Sequence, residues 1–185
     1  GSLNPTEITD EMLDYLQNSK KFCPHFHLSL QSACDRTLKS MNRFYNTEDY
    51  LAQIDKINSM FDLPFLGSDI ITGFAGETEE DFNDTLKFWR EIGFSKIHVL
   101  PYSDRNGTVA SRMKDKIPGN IKKDRVRRLI ELSNELEKEY FEKFIGKTVE
   151  VLIEEQKEDG FYHGFTSNYI PLKLKGNYKI NELYD

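Results

Sequence analysis

The sequence contains very little cysteine and no long apolar run. Only Cys23 and Cys34 occur in 185 residues, so no disulfide framework can staple the fold and no three-cysteine metal cluster can be built from this chain alone. No segment has the length and apolarity of a membrane-spanning helix, and the start lacks the basic and apolar regions of a signal peptide. We therefore expect a cytoplasmic protein without membrane contact.

Positive charge is also scarce. The chain has 25 Lys and Arg against 31 Asp and Glu, a net charge of −6, which argues against a protein that coats nucleic acid over its whole surface. Basic residues concentrate in one run, which consists of Lys122, Lys123, Arg125, Arg127 and Arg128. Such a run is typical of a solvated helix face. Any contact with RNA must then come from a local basic surface.

Helix-like and strand-like segments alternate along most of the chain, which predicts an α/β fold with a parallel sheet. Strands are predicted at residues 25–31, 63–74 and 96–102, and helices from Thr9, at 35–41, from Asn46, at 78–89 and at 122–144. Three strand–helix units make only part of an eight-unit (β/α) barrel, so we expect a partial TIM-like barrel in a truncated chain.

Beyond Gly146 the pattern changes to short strands, at residues 148–153 and 169–174, with turn residues between them. We predict three parts: residues 1–120 as the partial barrel, 121–146 as a charged connecting helix, and 147–185 as a small all-β domain. The small domain has five Lys against seven Asp and Glu, so it lacks the positive field expected of an RNA-binding module, which weakens the case for RNA binding.

Polar and glycine-rich loops follow the predicted strands at residues 31–35, 73–77 and 101–108, where barrels place their ligand-binding residues. The Gly73–Glu77 turn allows close approach of a ligand to the backbone, although it also suits a plain strand-to-helix turn. Arg105 is of a type that binds phosphates and carboxylates, although its position in a loop is equally compatible with a side chain that contacts only solvent.

Cys23, His25, His27 and Cys34 raise the possibility of zinc, but their spacing lacks the paired pattern of zinc sites. We predict no metal site, and polar side chains that face the barrel lumen. His98 and Tyr102 share a strand face and are predicted to point inward as well.

Several motifs follow one another in a fixed order: Leu3-Asn4-Pro5 as the end of a preceding strand, then His27–Ser32, Lys39–Tyr45, Asp69–Phe82 and Pro101–Ala110. Together they resemble the methylthiotransferase family of radical S-adenosylmethionine (SAM) enzymes, from about Leu3 to Glu154. The Cys23–His27 segment resembles the branch that acts on N6-threonylcarbamoyladenosine beside the tRNA anticodon.

The resemblance implies a radical SAM barrel followed by a TRAM-like domain. It places six residues around SAM: Gln31, Ser32, Asp69, Gly73, Gly76 and Glu77. Four further residues would contact cofactor or substrate: Arg43, Tyr45, Tyr102 and Arg105. It also implies two 4Fe-4S clusters, an electron donor, and transfer of a methylthio group to carbon 2 of the adenine after a 5′-deoxyadenosyl radical has removed its hydrogen.

The sequence departs from the family pattern at Ala33-Cys34 and at Ala75, where the family has small residues and Pro, and its TRAM-like tail is short. More important, the amino-terminal domain and the Cys-x-x-x-Cys-x-x-Cys loop are missing, so we expect the chain alone to be inactive. The alternatives are methylthiolation of a ribosomal protein or of another tRNA adenosine, a non-catalytic RNA-binding module, and an ordinary phosphate-binding barrel enzyme.

Overall fold

The computed structural model describes residues 2–185. It contains five α-helices and seven strands. The first part holds α1 Asp10–Gln17, β1 His25–His27, α2 Asp35–Ser40, α3 Thr47–Met60, β2 Phe65–Thr72, α4 Glu79–Ile92, β3 Lys96–Pro101 and α5 Gly119–Glu142. The second holds β4 Val151–Gln156, β5 Tyr162–Thr166, β6 Pro171–Leu174 and β7 Leu183–Tyr184. None of the helices among these residues is long and apolar enough to cross a bilayer.

The first three strands form a parallel sheet in the order β1-β2-β3. Leu3 makes one further parallel bridge to Leu28, and its amide donates to the carbonyl of His27 at 2.8 Å. Leu3 therefore lies where a preceding strand would pair, as the sequence predicted.

One face of this sheet is apolar and lies under the helices, with Phe26, Leu28, Ile70 and Ile97 almost fully buried. The helices cover it with an apolar stripe each, and the largest buried side chain among them is Trp89. The opposite face carries His25, His27, Asp69 and His98. A parallel sheet that is apolar on one face and polar on the other matches the wall of a barrel rather than a sheet buried on both sides.

Local signals explain where the helices begin and end. Thr9 caps α1, Asn46 caps α3 and Thr78 caps α4, each by accepting a hydrogen bond from a backbone amide of the first turn. The α4 helix runs three residues beyond the predicted end and stops at Gly93, which has φ +69°. The first strand is shorter than predicted: the Leu30 amide donates to the Ser68 hydroxyl at 3.3 Å, and Gln31, at φ +73°, keeps only an isolated bridge to Ile70.

The second sheet is antiparallel, with strand order β6-β5-β4-β7. Its own core is small and consists of Val151, Ile153 and Tyr162. The sequence indicated only two of these four strands, because β5 lacks a long apolar run and β7 has two residues. Gly164 lets β5 pass close to β4, since a Cβ there would collide with the carbonyl of Leu152.

An aromatic cluster joins the two sheets. Phe65, Tyr140 and Ile170 are buried against one another, and the Tyr140 hydroxyl donates to the carbonyl of Leu63 at 2.9 Å. The same carbonyl accepts from the side-chain amide of Asn168 at 2.8 Å. The small sheet therefore packs against the end of the parallel sheet at which the parallel strands begin.

Candidate functional site

The loops that follow the three parallel strands are held side by side by backbone hydrogen bonds. The Gln31 amide donates to the Asp69 carbonyl at 3.0 Å, and the Ile71 amide donates to the Gln31 carbonyl at 2.8 Å. On the other side, the Tyr102 amide donates to the Thr72 carbonyl at 2.8 Å. The predicted loops at residues 31–35, 73–77 and 101–108 thus begin at one edge of the sheet, as expected for a barrel.

A cleft of about 630 Å³ opens at this edge. Its apolar wall contains Phe74 and Tyr102, whose rings meet edge to face with centroids 4.9 Å apart. Its polar rim runs from the end of α2 into the loop that follows and includes Lys39 and Arg43. The cleft therefore brings together two of the predicted substrate residues, Arg43 and Tyr102. Its described lining is Lys39, Ser40, Met41, Asn42, Arg43, Ile71, Phe74, Tyr102, Val109 and Ala110.

Around the ring of Tyr102, charged groups are already paired. The Tyr102 hydroxyl donates to Asp104 at 3.0 Å, and Lys116 forms an ion pair with the same carboxylate. The hydrogen bond from Lys116 is the main cause that lowers the pKa of Asp104. The carboxylate of Asp104 is thus fully engaged with Tyr102 and Lys116, and Tyr102 contributes to the lining of the cleft.

The Gly73–Glu77 turn contains two glycines with positive φ, Gly73 at +79° and Gly76 at +81°. A side chain at position 73 would also collide with the stem of Lys122. The carboxylate of Glu77 turns inward: it accepts from the Gly73 amide at 2.6 Å and from Arg125 at 2.7 Å. Of the residues in this turn, Phe74 is the one in the described lining of the cleft.

Burial raises the pKa of Glu77, while the hydrogen bond from the Gly73 amide and the charge of Arg125 act in the opposite direction. Arg125 is only 3% exposed. The interpretation of the basic run as a solvated face is therefore wrong for Arg125, although it holds for the exposed Lys123 and Arg127. A sequence signal existed, since position 125 lies on the same helical stripe as the buried Leu129, Leu132 and Leu136.

The start of α4 is tied to α2. Asp81 accepts from the backbone and hydroxyl of Thr78, from the thiol of Cys34 at 3.2 Å, and from Arg36. Partial burial opposes the effect, yet these hydrogen bonds lower the pKa of Asp81 to about 2. Cys34 is thus a donor within this cluster, and it forms no disulfide with Cys23.

The remaining predicted cofactor residues lie close to the cleft but outside its lining. Ser32 is 1% exposed, and its hydroxyl accepts from the Cys34 amide at 3.3 Å. Asp69 lies deeper on the polar face of the sheet, where its carboxylate is 3.0 Å from Nε2 of His27. The His27 and His98 rings have centroids 5.4 Å apart, so the predicted inward-facing histidines do form one polar layer.

Two of the predicted substrate residues are placed apart from the cleft. Tyr45 is 6% exposed, and its hydroxyl lies 2.7 Å from the Ser29 carbonyl and 3.0 Å from that of Leu30, behind the sheet. Arg105 is exposed in the loop after β3, where its carbonyl accepts from the Thr108 amide. Sequence reasoning missed Lys39 and Phe74 as cleft residues, because a charged residue in a short helix and an aromatic in a turn have no distinctive spacing.

The family model for the radical SAM superfamily matches residues 1–88. Threonylcarbamoyladenosine tRNA methylthiotransferase MtaB of Bacillus subtilis is 39% identical over 179 residues, which are 95% of this chain and 40% of that protein. The same enzyme of Aquifex aeolicus is 39% identical and covers 98% of this chain and 43% of its own length. The tRNA-2-methylthio-N(6)-dimethylallyladenosine synthase of Acetivibrio thermocellus is 42% identical over 82% of this chain and 32% of its own length.

Among solved structures, coproporphyrinogen III oxidase (HemN) from Escherichia coli, a radical SAM enzyme, superposes with a TM-score of 0.61. The match has 23% sequence identity and covers 73% of this chain and 31% of that one, so it concerns the fold alone. The chain spans about two fifths of the length of the Bacillus and Aquifex relatives. The radical SAM match in residues 1–88 and the methylthiotransferase relatives over nearly the whole chain confirm the predicted resemblance to the radical SAM methylthiotransferase family.

Proposed function

We propose that this chain supplies part of the SAM and substrate site of a tRNA methylthiotransferase. The enzyme would add a methylthio group to carbon 2 of N6-threonylcarbamoyladenosine beside the anticodon. The observation that supports this most is the cleft at the carboxyl ends of the strands, which combines the aromatic pair Phe74 and Tyr102 with the basic residues Lys39 and Arg43.

The chemistry of the cleft fits an adenosyl group. Its volume of about 630 Å³ lies in the range of small-molecule sites, and its wall offers aromatic and aliphatic surface for a purine. The adjoining Gly73–Glu77 turn brings backbone close to the same edge. When bound, SAM would supply the radical that removes hydrogen from the adenine.

Iron–sulfur clusters do not fit the residues described here. Within residues 2–185, no group of three or more His, Cys, Asp or Glu side chains is arranged to hold a metal ion, and Cys23 and Cys34 are both free. We therefore assign this chain the binding and orientation of SAM and of the adenine, with exclusion of water by Phe74 and Tyr102. In this assignment Gln31, Ser32, Gly73 and Gly76 shape the cofactor side, and Asp69 supports it through His27.

The charge of the cleft favours a threonylcarbamoyl substituent over a dimethylallyl one. Threonylcarbamoyladenosine carries a carboxylate, and the described lining of the cleft has two basic side chains and no acidic one. Arg43 presents the planar set of donors that carboxylates bind best. Tyr45 has no part in this contact because its hydroxyl is used within the core.

A dimethylallyladenosine substrate is the second candidate, because relatives named for that substrate match as closely as the MtaB proteins do. It needs no charged partner, so the two candidates make opposite predictions for Arg43. Both keep the reaction on a tRNA adenosine.

We also propose that residues 1–120 form part of the barrel, that residues 121–146 link it to the rest, and that residues 147–185 act as a TRAM-type RNA-binding domain. The support is the antiparallel sheet β4–β7, which has its own small core. The partners would be the anticodon stem-loop of tRNA and an electron donor, in the cytoplasm.

Mass spectrometry of the nucleosides in tRNA, from cells with and without the gene, tests the proposal. Specific loss of 2-methylthio-threonylcarbamoyladenosine, restored by the gene, is the expected result. Loss of the dimethylallyl product instead would favour the second candidate, and an unchanged nucleoside profile would contradict both and direct attention to a ribosomal protein.

A further inference from the structure

The start of α5 and the segment before it hold the Gly73–Glu77 turn from outside at three points. The Gly76 amide donates to the Asp115 carbonyl at 2.7 Å. The stem of Lys122 lies against Gly73, and its ammonium group donates to the Tyr102 carbonyl at 3.1 Å. Arg125 reaches Glu77 at both its carboxylate and its carbonyl, at 2.7 and 3.1 Å.

The contact through Arg125 differs from the other two because both charges are buried. The side chains of Arg125 and Glu77 are 4% and 3% exposed. The same carboxylate oxygen of Glu77 that receives Arg125 also accepts from the Gly73 amide at 2.6 Å. Burying two charges is costly unless further hydrogen bonds satisfy them, so the pair by itself is weak evidence of stabilisation.

The pair fixes the conformation of the turn. Gly73 and Gly76 can adopt many backbone conformations, and a turn built on them is defined only if other groups hold its donors and acceptors. Glu77 closes the turn onto the Gly73 amide, and Arg125 holds Glu77 in that orientation. The Nε of Arg125 is buried without a partner, so the guanidinium keeps this position despite an unmet hydrogen bond.

We propose that Arg125 is a positioning residue for the cofactor side of the cleft, acting through Glu77 on the Gly73–Glu77 turn. Neither side chain touches the ligand; the backbone of the turn and Phe74 do so. This role rests on the proposed function, because it assumes that the turn binds SAM. Glu77, which the resemblance placed around SAM, then stabilises the turn from within and does not contact the ligand.

Two measurements on the Arg125→Gln variant test this role. Hydrogen exchange, followed by mass spectrometry on residues 72–78, is expected to be about tenfold faster at the turn, the change that loss of a hydrogen bond to a charged group produces. In the full-length enzyme, KM for SAM is expected to rise about tenfold with kcat changed less than about threefold, because binding is loosened before the chemical step is.

Arg128→Gln is the matched control. Arg128 also lies on α5 and binds Glu79 and Asn83, but it does not touch Glu77. Its exchange at residues 72–78 and its KM for SAM should stay within about twofold of the wild type, the range usual for a partly exposed ion pair. Equal effects in both variants would overturn the proposal, since a merely structural contribution of α5 would move both.

Arg125→Lys keeps the experiment decisive if Arg125→Gln does not fold. Lysine retains the charge but not the fork that reaches both the carbonyl and the carboxylate of Glu77, so intermediate exchange and intermediate KM are expected. Faster exchange without a change in KM would overturn the positioning role while leaving the proposed tRNA reaction intact. Conversely, a wild-type enzyme that binds SAM and depends on Arg125 but makes no methylthio nucleoside would support the role and contradict the proposed function.

Discussion

The parallel sheet and the antiparallel sheet differ in how each uses its two faces. The parallel sheet buries one face under helices and carries a layer of His27, Asp69 and His98 on the other. The antiparallel sheet has a core of three buried side chains, and leaves Leu152 and Leu183 exposed. The first sheet is stabilised by its buried face and can therefore carry polar side chains on the other. The second sheet depends for part of its stability on its contacts with the first part of the molecule.

The two sheets also differ in the kind of contact that holds the adjoining segments in place. The turn that follows β2 in the first sheet is held by the buried ion pair of Glu77 with Arg125. The second is docked by an apolar and aromatic cluster around Tyr140 and Ile170. A substitution that removes one kind of contact and leaves the other intact should therefore destabilise one region and not the other.

The largest effect is expected for Glu77→Ala. Arg125 would be left as a buried charge without its partner, which costs about 3–5 kcal/mol of unfolding free energy. Thermal or urea unfolding measures it. Glu79→Ala is the control, since Glu79 binds the same arginine but its side chain is 55% exposed, and a loss under about 1 kcal/mol is expected. Equal losses would show that burial of the pair is not what matters.

A smaller loss is expected for Ile170→Ala, which weakens the docking of the small sheet. Truncating a buried isoleucine costs about 2–4 kcal/mol, because apolar contacts are lost and a cavity remains. Limited proteolysis should then cut residues 147–185 first while the parallel sheet stays intact. Ile180→Ala, at a half-exposed position of the same region, should leave the proteolysis pattern unchanged.

Asp81→Asn should cost about 0.5–2 kcal/mol, the usual range for an interaction at a helix start. The pKa of Asp81 is lowered to about 2, so its charge stabilises the fold above the ordinary value near 3.8, and this contribution is lost as pH falls towards 2. The difference in unfolding free energy between wild type and variant should therefore be constant from pH 7 to about 5 and shrink below about 4. A similar pH dependence for Asp84→Asn, an exposed position on the same helix, would contradict this assignment.

The smallest effect on stability, under about 0.5 kcal/mol, is expected for Arg43→Gln, since Arg43 is exposed at the rim of the cleft. Its effect should appear in selectivity: the ratio of kcat/KM for threonylcarbamoyl over dimethylallyl tRNA should fall about tenfold when the carboxylate loses its partner. Lys20→Gln, an exposed charge outside the cleft, should leave the ratio unchanged. An unchanged ratio for Arg43→Gln would favour the uncharged substrate.

The helices and the parallel strands were predictable because their signals are local. Thr9, Asn46 and Thr78 were identified as helix starts, and all three cap their helices. Apolar residues alternate with polar ones in the predicted strand at residues 25–31, and its apolar side chains Phe26, Leu28 and Leu30 are each at most 1% exposed. The prediction was poorer for the small sheet, where the strands have only two to six residues and β7 pairs with β4 rather than with its neighbour along the chain.

The candidate site was predicted only in part, for a related reason. The order of motifs identified Gln31, the Gly73–Glu77 turn, Arg43 and Tyr102. Three of these contribute to the lining of the cleft: Arg43, Tyr102 and, through Phe74, the turn. It did not distinguish Arg43, which lines the cleft, from Tyr45 two residues later, whose hydroxyl lies against the Ser29 carbonyl in the core.

By itself, the sequence determined the alternation of helices and strands, the helix caps and the family, because periodicity and motif order are properties of neighbouring residues. Only the tertiary structure decided that Glu77 faces inward to Arg125, 48 positions along the chain, and that Asp69 meets His27 rather than the cleft. Such contacts depend on which elements fold against each other, and a charged residue has the same local pattern whether its partner is water or a buried carboxylate.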